Sequence, residues 1–263
     1  MPDSARTIRI GHLYPALLSV AGDRGNLFAI QRRSEWRGIA TEVTEIGVGQ
    51  TPDFTQFDLI LFHGGQDKEM DVAARDLQPK AAGIRAAVES DVVVLAVCAG
   101  YQLLGHYYQP SKGPRLEGIG ALDITTQGGP TRFMNHIAIE CRFADGAPQT
   151  LVGFENHSGR TFRGEGVAPL GTVLAGGGNN GEDGTEGAIY RQVYCTYMHG
   201  PVLPKNPWFT DHLIRQALRH RYGGAPQLEP LSNSPEDGAH AAALQLAMRM
   251  KGKMTALDAA TWR

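Results

Sequence analysis

The residue with the clearest chemical potential is Cys98, which ends a run of β-branched and apolar residues at positions 92–97. The small residues Ala99 and Gly100 follow it, and an apolar segment with the composition of a helix comes next. This order is typical of a nucleophile elbow, a strand-to-helix turn that lifts a reactive side chain clear of the sheet. Backbone N–H groups at the start of the new helix would favour the thiolate and stabilise an oxyanion. Alternatively, a cysteine after an apolar strand is a small buried hydrophobic residue.

A second candidate is His199, which follows a strand-like run and precedes Gly200. A cysteine nucleophile needs a base that takes its proton and an acid that protonates the leaving group. Imidazole performs both tasks near neutral pH. A surface histidine in a turn is the alternative for His199 alone. Together with Cys98, it predicts a Cys-His catalytic pair.

Gly64 and Gly65 form a third candidate feature, directly after the apolar run at residues 57–62. Paired glycines let a backbone approach a ligand closely, and their N–H groups can complete an oxyanion hole. The alternative is an ordinary glycine turn between a strand and a helix.

Alternating strands and helices must position these residues. Apolar or alternating runs at residues 8–13, 39–46, 57–62 and 92–97 predict strands, and residues 27–36 and 71–90 predict helices. Strands that are apolar throughout indicate a mostly parallel central sheet covered by helices on both faces. The predicted fold class is therefore α/β.

The second half of the chain is predicted to be rich in β-structure. Short strands are expected at residues 119–124, 133–143, 151–156, 167–175, 188–190 and 192–198, with a mobile loop or hairpin tip at 176–184. Helices are expected at residues 208–221 and 237–251. We interpret residues 8–222 as one domain and residues 223–263 as a C-terminal helical extension and tail.

The composition excludes several classes of protein. With 25 basic and 27 acidic residues, the net charge of −2 gives no long-range attraction to nucleic acid or to an anionic membrane. Three scattered cysteines make neither a disulfide framework nor a thiolate zinc site, so no metal is expected. Neither a signal peptide nor an apolar run of about 20 residues is visible, which favours a cytoplasmic protein.

An elbow cysteine at 98, paired glycines before it and His199 after it resemble the class I, or triad-type, glutamine amidotransferases, over roughly residues 8–222. The histidine motif Tyr-x-His-Gly is similar to that of the cobyric acid synthase-like (CobB/CobQ) branch. Within that branch, residues 13–15, 22–26 and 198–207 resemble the GatD group of glutaminase subunits, which belong to lipid II isoglutaminyl synthases.

The resemblance implies hydrolysis of L-glutamine to glutamate and ammonia. Cys98 would attack the side-chain amide, and His199 would protonate the departing ammonia. Backbone N–H groups near Gly65 and Ala99 would hold the oxyanion. Arg132 is the residue expected to bind the α-carboxylate, because a guanidinium grips a carboxylate bidentately. Gly64 and Gln102 are the other candidate substrate-binding residues.

The resemblance also implies a partner. The chain has no phosphate-binding loop of the Gly-x-x-x-x-Gly-Lys-Ser/Thr type, so no cofactor is expected in it. ATP and Mg would belong to a Mur ligase-like synthetase called MurT, which would use the ammonia to amidate D-glutamate of lipid II in peptidoglycan synthesis. Alternatives are an amidotransferase subunit for another acceptor such as a corrinoid, a non-catalytic regulatory subunit, and a hydrolase with a peptide or aldehyde substrate.

One departure from the family concerns the third member of the triad. Two residues after His199, where the standard triad has glutamate, this chain has Pro201. The third member is therefore missing, replaced by a carboxylate elsewhere such as Glu155, Glu186 or Asp211, or supplied by a partner. A missing orienting group predicts weak activity of the isolated chain, and we expect partner binding to complete the site. Two roles are open for Asp23 and Asn26: they shape the glutamine pocket or they form a turn.

Overall fold

The architecture comes from a computed structural model that describes residues 6–19, 22–142 and 147–251, together with the backbone of 256–258. The strands are β1 (Thr7–Leu13), β2 (Ala40–Ile46), β3 (Leu59–Phe62), β4 (Val93–Val97), β5 (Tyr107–Gln109), β6 (Leu116–Glu117), β7 (Ile124–Cys141), β8 (Gln149–Arg163), β9 (Gly171–Ala175), β10 (Thr185–Glu186), β11 (Ala188–Tyr190), β12 (Val193–Thr196), β13 (Met198–His199) and β14 (Ala256–Asp258). The α-helices are α1 (Arg24–Glu35), α2 (Asp67–Leu77), α3 (Ala81–Glu89), α4 (Ala99–Leu104), α5 (Pro207–Tyr222) and α6 (Ser234–Met250).

The first sheet carries the predicted α/β pattern. Its strand order is β11-β12-β4-β3-β1-β2, and every pairing is parallel except that of β11 with β12. Because β3, β4 and β12 run in the same direction side by side, their carboxyl ends meet at one edge. This edge is where a parallel sheet places functional groups.

Both faces of this sheet are covered, which explains its continuous apolar strands. In β3, Ile60 and Phe62 enter a core shared with α2 and α3, while Leu59 and Leu61 enter the opposite core with α1 and α5. The period-2 alternation of side chains sends successive residues to opposite faces. Since both faces of β3 and β4 are buried, these two strands contain no polar residues, as predicted.

The second sheet is built around the long hairpin of β7 and β8. Its order is β10-β9-β7-β5-β6, with β8 paired to β7 and β13 and with β14 paired to β7. The β7–β8 register shifts between Gly128 and Phe133, so a bulge interrupts the hairpin beside Arg132. The predicted loop at 176–184 joins β9 to β10, which pair antiparallel, so the hairpin is confirmed.

Two predicted elements differ from the structure. The predicted strand at 119–124 is instead a loop that wraps the end of α4, where the N–H groups of Ile119 and Leu122 donate to carbonyls of α4. The predicted helix at 71–90 is two helices, because a short 3-10 turn containing Pro79 separates α2 from α3. Proline lacks the N–H that a continuous helix needs at that point.

The chain crosses from one sheet to the other just before His199. β12 lies in the first sheet beside β4, whereas β13 lies in the second sheet and pairs with β8. His199 is therefore positioned by both sheets.

The C-terminal region packs on the second sheet. Ala243, Leu244 and Ala247 of α6 contact a small apolar cluster that includes Ala138 and Val152. Within the described ranges, no helix has the length and hydropathy that crossing a lipid bilayer requires.

Candidate active site

The predicted elbow at Cys98 is present. β4 ends at Val97, α4 begins at Ala99, and Cys98 between them has φ 51° and ψ −102°. A residue with a Cβ in this region of backbone space carries strain of about 1–3 kcal/mol, which the surrounding structure must hold. The Cys98 N–H donates to the Thr196 carbonyl at 2.9 Å, and the Cys98 carbonyl accepts from the Gln102 N–H at 3.0 Å.

Gly100 explains how the elbow approaches the neighbouring strand. A Cβ added at Gly100 would lie 2.2 Å from the carbonyl oxygen of Phe62, at the end of β3. Only glycine permits that approach, so the small residue after the cysteine is a packing requirement of the turn.

His199 is hydrogen-bonded on one side to a carboxylate. Its Nδ1 lies 3.0 Å from Asp23 Oδ2 and 3.3 Å from Oδ1, and both side chains are buried. Since Nδ1 is engaged by Asp23, Nε2 is the nitrogen left for the hydrogen bond to Cys98. The three side chains form a Cys-His-Asp array within this single chain.

The array favours a protonated imidazole. Burial alone would lower the pKa of His199, but the charge of Cys98 and the hydrogen bonds to Asp23 and Cys98 outweigh it and raise that pKa to about 10. A buried imidazolium beside Cys98 and Asp23 holds a proton ready for a leaving group.

The predicted sources of the third carboxylate are therefore wrong, and Asp23 supplies it. Asp23 occupies the N-cap position of α1, yet its side chain makes no capping hydrogen bond. Its carboxylate instead accepts from His199 and, at 3.4 Å, from the Gly64 N–H. The sequence could not show this role, because an aspartate just before a helix normally caps that helix.

Pro201 supports this replacement. A Cβ on Gly25 would lie 2.4 Å from Pro201 Cγ, so the proline at the family's glutamate position packs on the turn that carries Asp23. Asn26, in the same turn, accepts a hydrogen bond from the Leu203 N–H at 3.0 Å. Asn26 therefore ties the turn to the segment after His199, and it does not line the pocket.

The three carboxylates proposed from sequence have other partners. Glu155 accepts from the N–H groups of Gly177 and Gly178 at 2.8–3.0 Å. Asp211 forms ion pairs with Arg33 at 2.6 Å and with Arg37 at 2.7 Å.

Glu186 binds the chain just before His199, at Thr196 and Tyr197. Its Oε1 accepts from the Tyr197 N–H at 2.6 Å and from the Thr196 hydroxyl at 3.0 Å, so it fixes the crossing between the two sheets. Burial and the charge of Glu155 outweigh these hydrogen bonds and raise the pKa of Glu186 from 4.5 to about 8.

This raised pKa predicts a pH-dependent stability. The folded protein keeps a proton on Glu186 where the unfolded chain has lost it, so this contribution declines as the pH rises from 4.5 to about 8. Glu186→Gln removes the titration. Below pH 4.5 we expect the thermal midpoint of the variant to match that of the wild type. Above about pH 8 it should exceed the wild-type midpoint by about 3 °C or more. Thermal unfolding at both pH values checks this. Glu182→Gln, at an exposed loop position, is the control, and a pH-independent difference for Glu186→Gln would contradict the prediction.

A cavity of about 740 Å³ opens beside the array. Of the residues predicted for the site, the cavity is lined by Cys98, His199, Gly65, Gln102 and Arg132. The other two, Gly64 and Ala99, are not among the lining residues. Gly64 instead packs against the array: a Cβ there would lie 2.8 Å from His199 Cε1 and 3.2 Å from Cys98 Cβ.

Arg132 reaches the cavity from the bulge of the second sheet. Its Nη1 donates to the carbonyl and to the side-chain oxygen of Asn156, at 3.1 Å and 2.8 Å. These two bonds fix the guanidinium to β8 of the second sheet, whereas Cys98 follows β4 of the first. A ligand between Cys98 and Arg132 would therefore bridge the two sheets.

His157 and Glu69 also line the same cavity, although neither was expected there from the sequence. His157 stacks on Tyr197 with ring centroids 3.7 Å apart, and its Nδ1 bonds to the Gly159 carbonyl at 2.8 Å. Glu69 lines the cavity from the first turn of α2. Neither residue belongs to a spacing pattern that sequence alone reveals.

The remaining histidines near the site form a buried pair. His12 Nε2 lies 3.1 Å from His63 Nδ1, and burial lowers the pKa of His63 to about 3 although the charge of Asp23 opposes this. In the part of the chain that the structure describes, no group of three or more His, Cys, Asp or Glu side chains could hold a metal ion.

Comparisons with known proteins agree with this geometry. A sequence profile of the CobB/CobQ-like glutamine amidotransferase domain matches residues 9–207. The chain is 38% identical to the GatD subunit of the glutamine-hydrolysing lipid II isoglutaminyl synthase of Streptococcus pneumoniae, over 84% of each protein. It is 36% identical to the corresponding Staphylococcus aureus subunit, over 93% of this chain and 98% of that one.

More distant matches are consistent with the same fold. Cobyric acid synthase of Limosilactobacillus reuteri is 32% identical over 65% of this chain but only 34% of that enzyme. A crystal structure of a glutamine amidotransferase superimposes with a TM-score of 0.52 at 16% identity, covering 79% of this chain and 98% of the other.

Proposed function

Since the chain belongs to the CobB/CobQ-like glutamine amidotransferase family, we propose that it is the glutaminase subunit of a lipid II isoglutaminyl synthase. The observation that carries this proposal is the Cys98–His199–Asp23 array at the edge of a cavity that also holds Arg132. The two GatD relatives match over 84% and 98% of their lengths, and both are named as subunits of a glutamine-hydrolysing lipid II isoglutaminyl synthase.

The first half of the reaction forms a thioester. The Cys98 thiolate attacks the side-chain amide carbon of L-glutamine, and a C–S bond forms as the carbonyl becomes an oxyanion. The N–H groups of Gly65 and Ala99 are the proposed oxyanion donors. His199 gives its proton to the amide nitrogen, the C–N bond breaks, and ammonia leaves.

The second half releases glutamate. His199, now neutral, takes a proton from water, and the hydroxide attacks the thioester. The C–S bond breaks, the Cys98 thiolate returns, and His199 is again protonated. Asp23 orients the imidazole and stabilises its charged form in both halves, as the third member of a triad does.

The ammonia is proposed to serve a synthetase subunit. The relatives are named as subunits, and this chain has no phosphate-binding loop for ATP. We therefore assign ATP and Mg to a Mur ligase-like partner, MurT, which would activate the D-glutamate carboxylate of lipid II. Ammonia from this chain would then give D-isoglutamine.

The test uses L-glutamine labelled at its side-chain amide nitrogen. Because Asp23 completes the triad within the chain, the purified protein is expected to release labelled ammonium without a partner, contrary to the weak activity predicted from Pro201. With the synthetase, ATP and lipid II, the label should enter lipid II. The proposal would be overturned if the isolated chain released no labelled ammonium and the complete system placed no label in lipid II, and label in a corrinoid acceptor instead would support the cobyric acid-type alternative.

Arg132 provides a prediction about substrate binding. Removing its charge with Arg132→Gln should lower kcat/KM for L-glutamine by about 10-fold to 100-fold, mainly through KM, because a charged hydrogen bond to the α-carboxylate is lost. The same variant should process γ-aminobutyramide, which lacks that carboxylate, like the wild type. Steady-state ammonia release measures both. Arg142→Gln, at an exposed position near the end of β7, is the control. Equal losses on both substrates would show that Arg132 does not bind the carboxylate.

A further inference from the structure

Glu69 is the one acidic residue among the described residues that line the cavity. Its Oε2 is buried, and no other described residue provides a hydrogen-bond partner for it. Glu69 lines the same cavity as Cys98 and Arg132. A buried carboxylate oxygen without a partner is costly unless a donor or a cation occupies the site.

L-Glutamine, the proposed substrate, brings such a donor. Its α-ammonium carries a positive charge and three N–H bonds, and leaving them unpaired in a cavity would weaken binding. Arg132 is the proposed partner of the α-carboxylate, which is bonded to the same carbon as the ammonium. The ammonium therefore needs an acceptor within reach of the Arg132 side of the cavity.

Two neutral side chains of the cavity, Asn156 and His157, are less suitable partners for a cation. The carbonyl and the side-chain oxygen of Asn156 already accept from Arg132. His157 is held neutral, since burial first and then the charges of Arg160, His199 and Arg132 lower its pKa to about 3. Those same positive charges would repel an ammonium from the His157 ring. Glu69 carries the opposite sign.

The turn that carries Glu69 also places it well. Gly65, whose N–H is a proposed oxyanion donor, ends the loop after β3, and Glu69 follows in the first turn of α2. One short segment therefore supplies groups to both ends of a glutamine molecule. Any movement of this segment would change both contacts together.

We propose that Glu69 binds the α-ammonium of L-glutamine and, together with Arg132, makes the site specific for an α-amino acid amide. This inference rests on the proposed glutaminase function and adds the residue that distinguishes glutamine from amides lacking an amino group. Glu69 is a substrate-binding residue and takes no part in proton transfer.

The experiment compares two substrates. Glutaramate has the side-chain amide and the carboxylate of glutamine but lacks the ammonium. In the wild type, kcat/KM for glutamine should greatly exceed that for glutaramate. Glu69→Gln, which keeps the shape and removes the charge, should reduce kcat/KM for glutamine by about 30-fold through KM. The same variant should leave glutaramate within about 3-fold of the wild type, so the preference collapses.

A matched control separates binding from folding. Asp71→Asn removes a carboxylate from the same helix, where Asp71 pairs with Arg75 on the exposed side, and should change neither substrate. Equal losses of Glu69→Gln on both substrates, or an unchanged KM for glutamine, would overturn the role of Glu69 and leave the glutaminase intact. A wild type that releases no ammonia from glutamine, with or without the synthetase, would overturn the proposed function and this inference together.

Discussion

Asp23→Asn is expected to lower kcat for glutamine hydrolysis by about 10² to 10⁴, with a much smaller change in KM. Asp23 holds Nδ1 of His199 at 3.0 Å, and this contact sets both the tautomer and the direction of the ring toward Cys98. Asparagine fits the same space but can donate to Nδ1, which would place the proton on the wrong nitrogen. Ammonia release under saturating glutamine measures the effect.

The same substitution should move the pH dependence. In the wild type, hydrogen bonds to Asp23 and the charge of Cys98 raise the pKa of His199 to about 10, so the imidazolium persists into alkaline solution and is lost only as the pH rises through that value. Without the carboxylate, the pKa of His199 falls. The alkaline decline of kcat should therefore begin at lower pH in the variant, in a profile measured from about pH 6 to pH 10.

Asp211→Asn is the matched control, since Asp211 was a sequence-based candidate for the same role. It pairs with Arg33 and Arg37 away from the cavity. Its loss should lower the thermal midpoint and leave kcat within about 3-fold of the wild type. If Asp211→Asn reduced kcat as strongly as Asp23→Asn, the assignment of Asp23 to the triad would fail.

Cys98→Ala is expected to abolish glutamine hydrolysis, with a loss of kcat of at least about 10³, because no other group can form the thioester. A diazo-ketone analogue of glutamine should alkylate the wild type once, at Cys98, and leave Cys98→Ala unmodified. Intact-mass spectrometry with peptide mapping shows both results.

The other two cysteines provide the control. Cys141 and Cys195 are buried, and burial raises the pKa of each thiol, so neither should react. Cys195→Ala should therefore still take up a single adduct at Cys98. An adduct on Cys141 or Cys195, or a wild type that is not alkylated, would contradict the assigned nucleophile.

Local patterns predicted the positions of the elbow cysteine and of the histidine beside it. Cys98 follows an apolar strand and precedes small residues, and this order alone specifies the elbow that the structure contains. His199 follows the neighbouring parallel strand, so the sheet edge brings it beside Cys98. Arg132 could be chosen only by family resemblance, yet the bulge in β7 does place it in the cavity.

The third carboxylate could not be predicted, because no spacing rule connects Asp23 to His199. The contact joins residues 176 positions apart and depends on how the turn before α1 packs against Pro201. Glu69 could not be predicted for a similar reason. It is one of several charged residues on α2, and only its position in the wall of the cavity distinguishes it from them. The break between α2 and α3 has a local cause in the sequence, because Pro79 lacks the N–H that a continuous helix needs.

The passage of the chain from β12 to β13 makes His199 one of the points at which the two sheets are connected. Cys98 belongs to one sheet, and Arg132 belongs to the other. A subunit that docks on the second sheet and shifts it by a fraction of an ångström would therefore displace the acid and the substrate clamp relative to the nucleophile. Such a shift would change the rate of ammonia release without any contact to the cysteine. A synthetase that causes it could thereby couple ammonia release to its own rate of ammonia use.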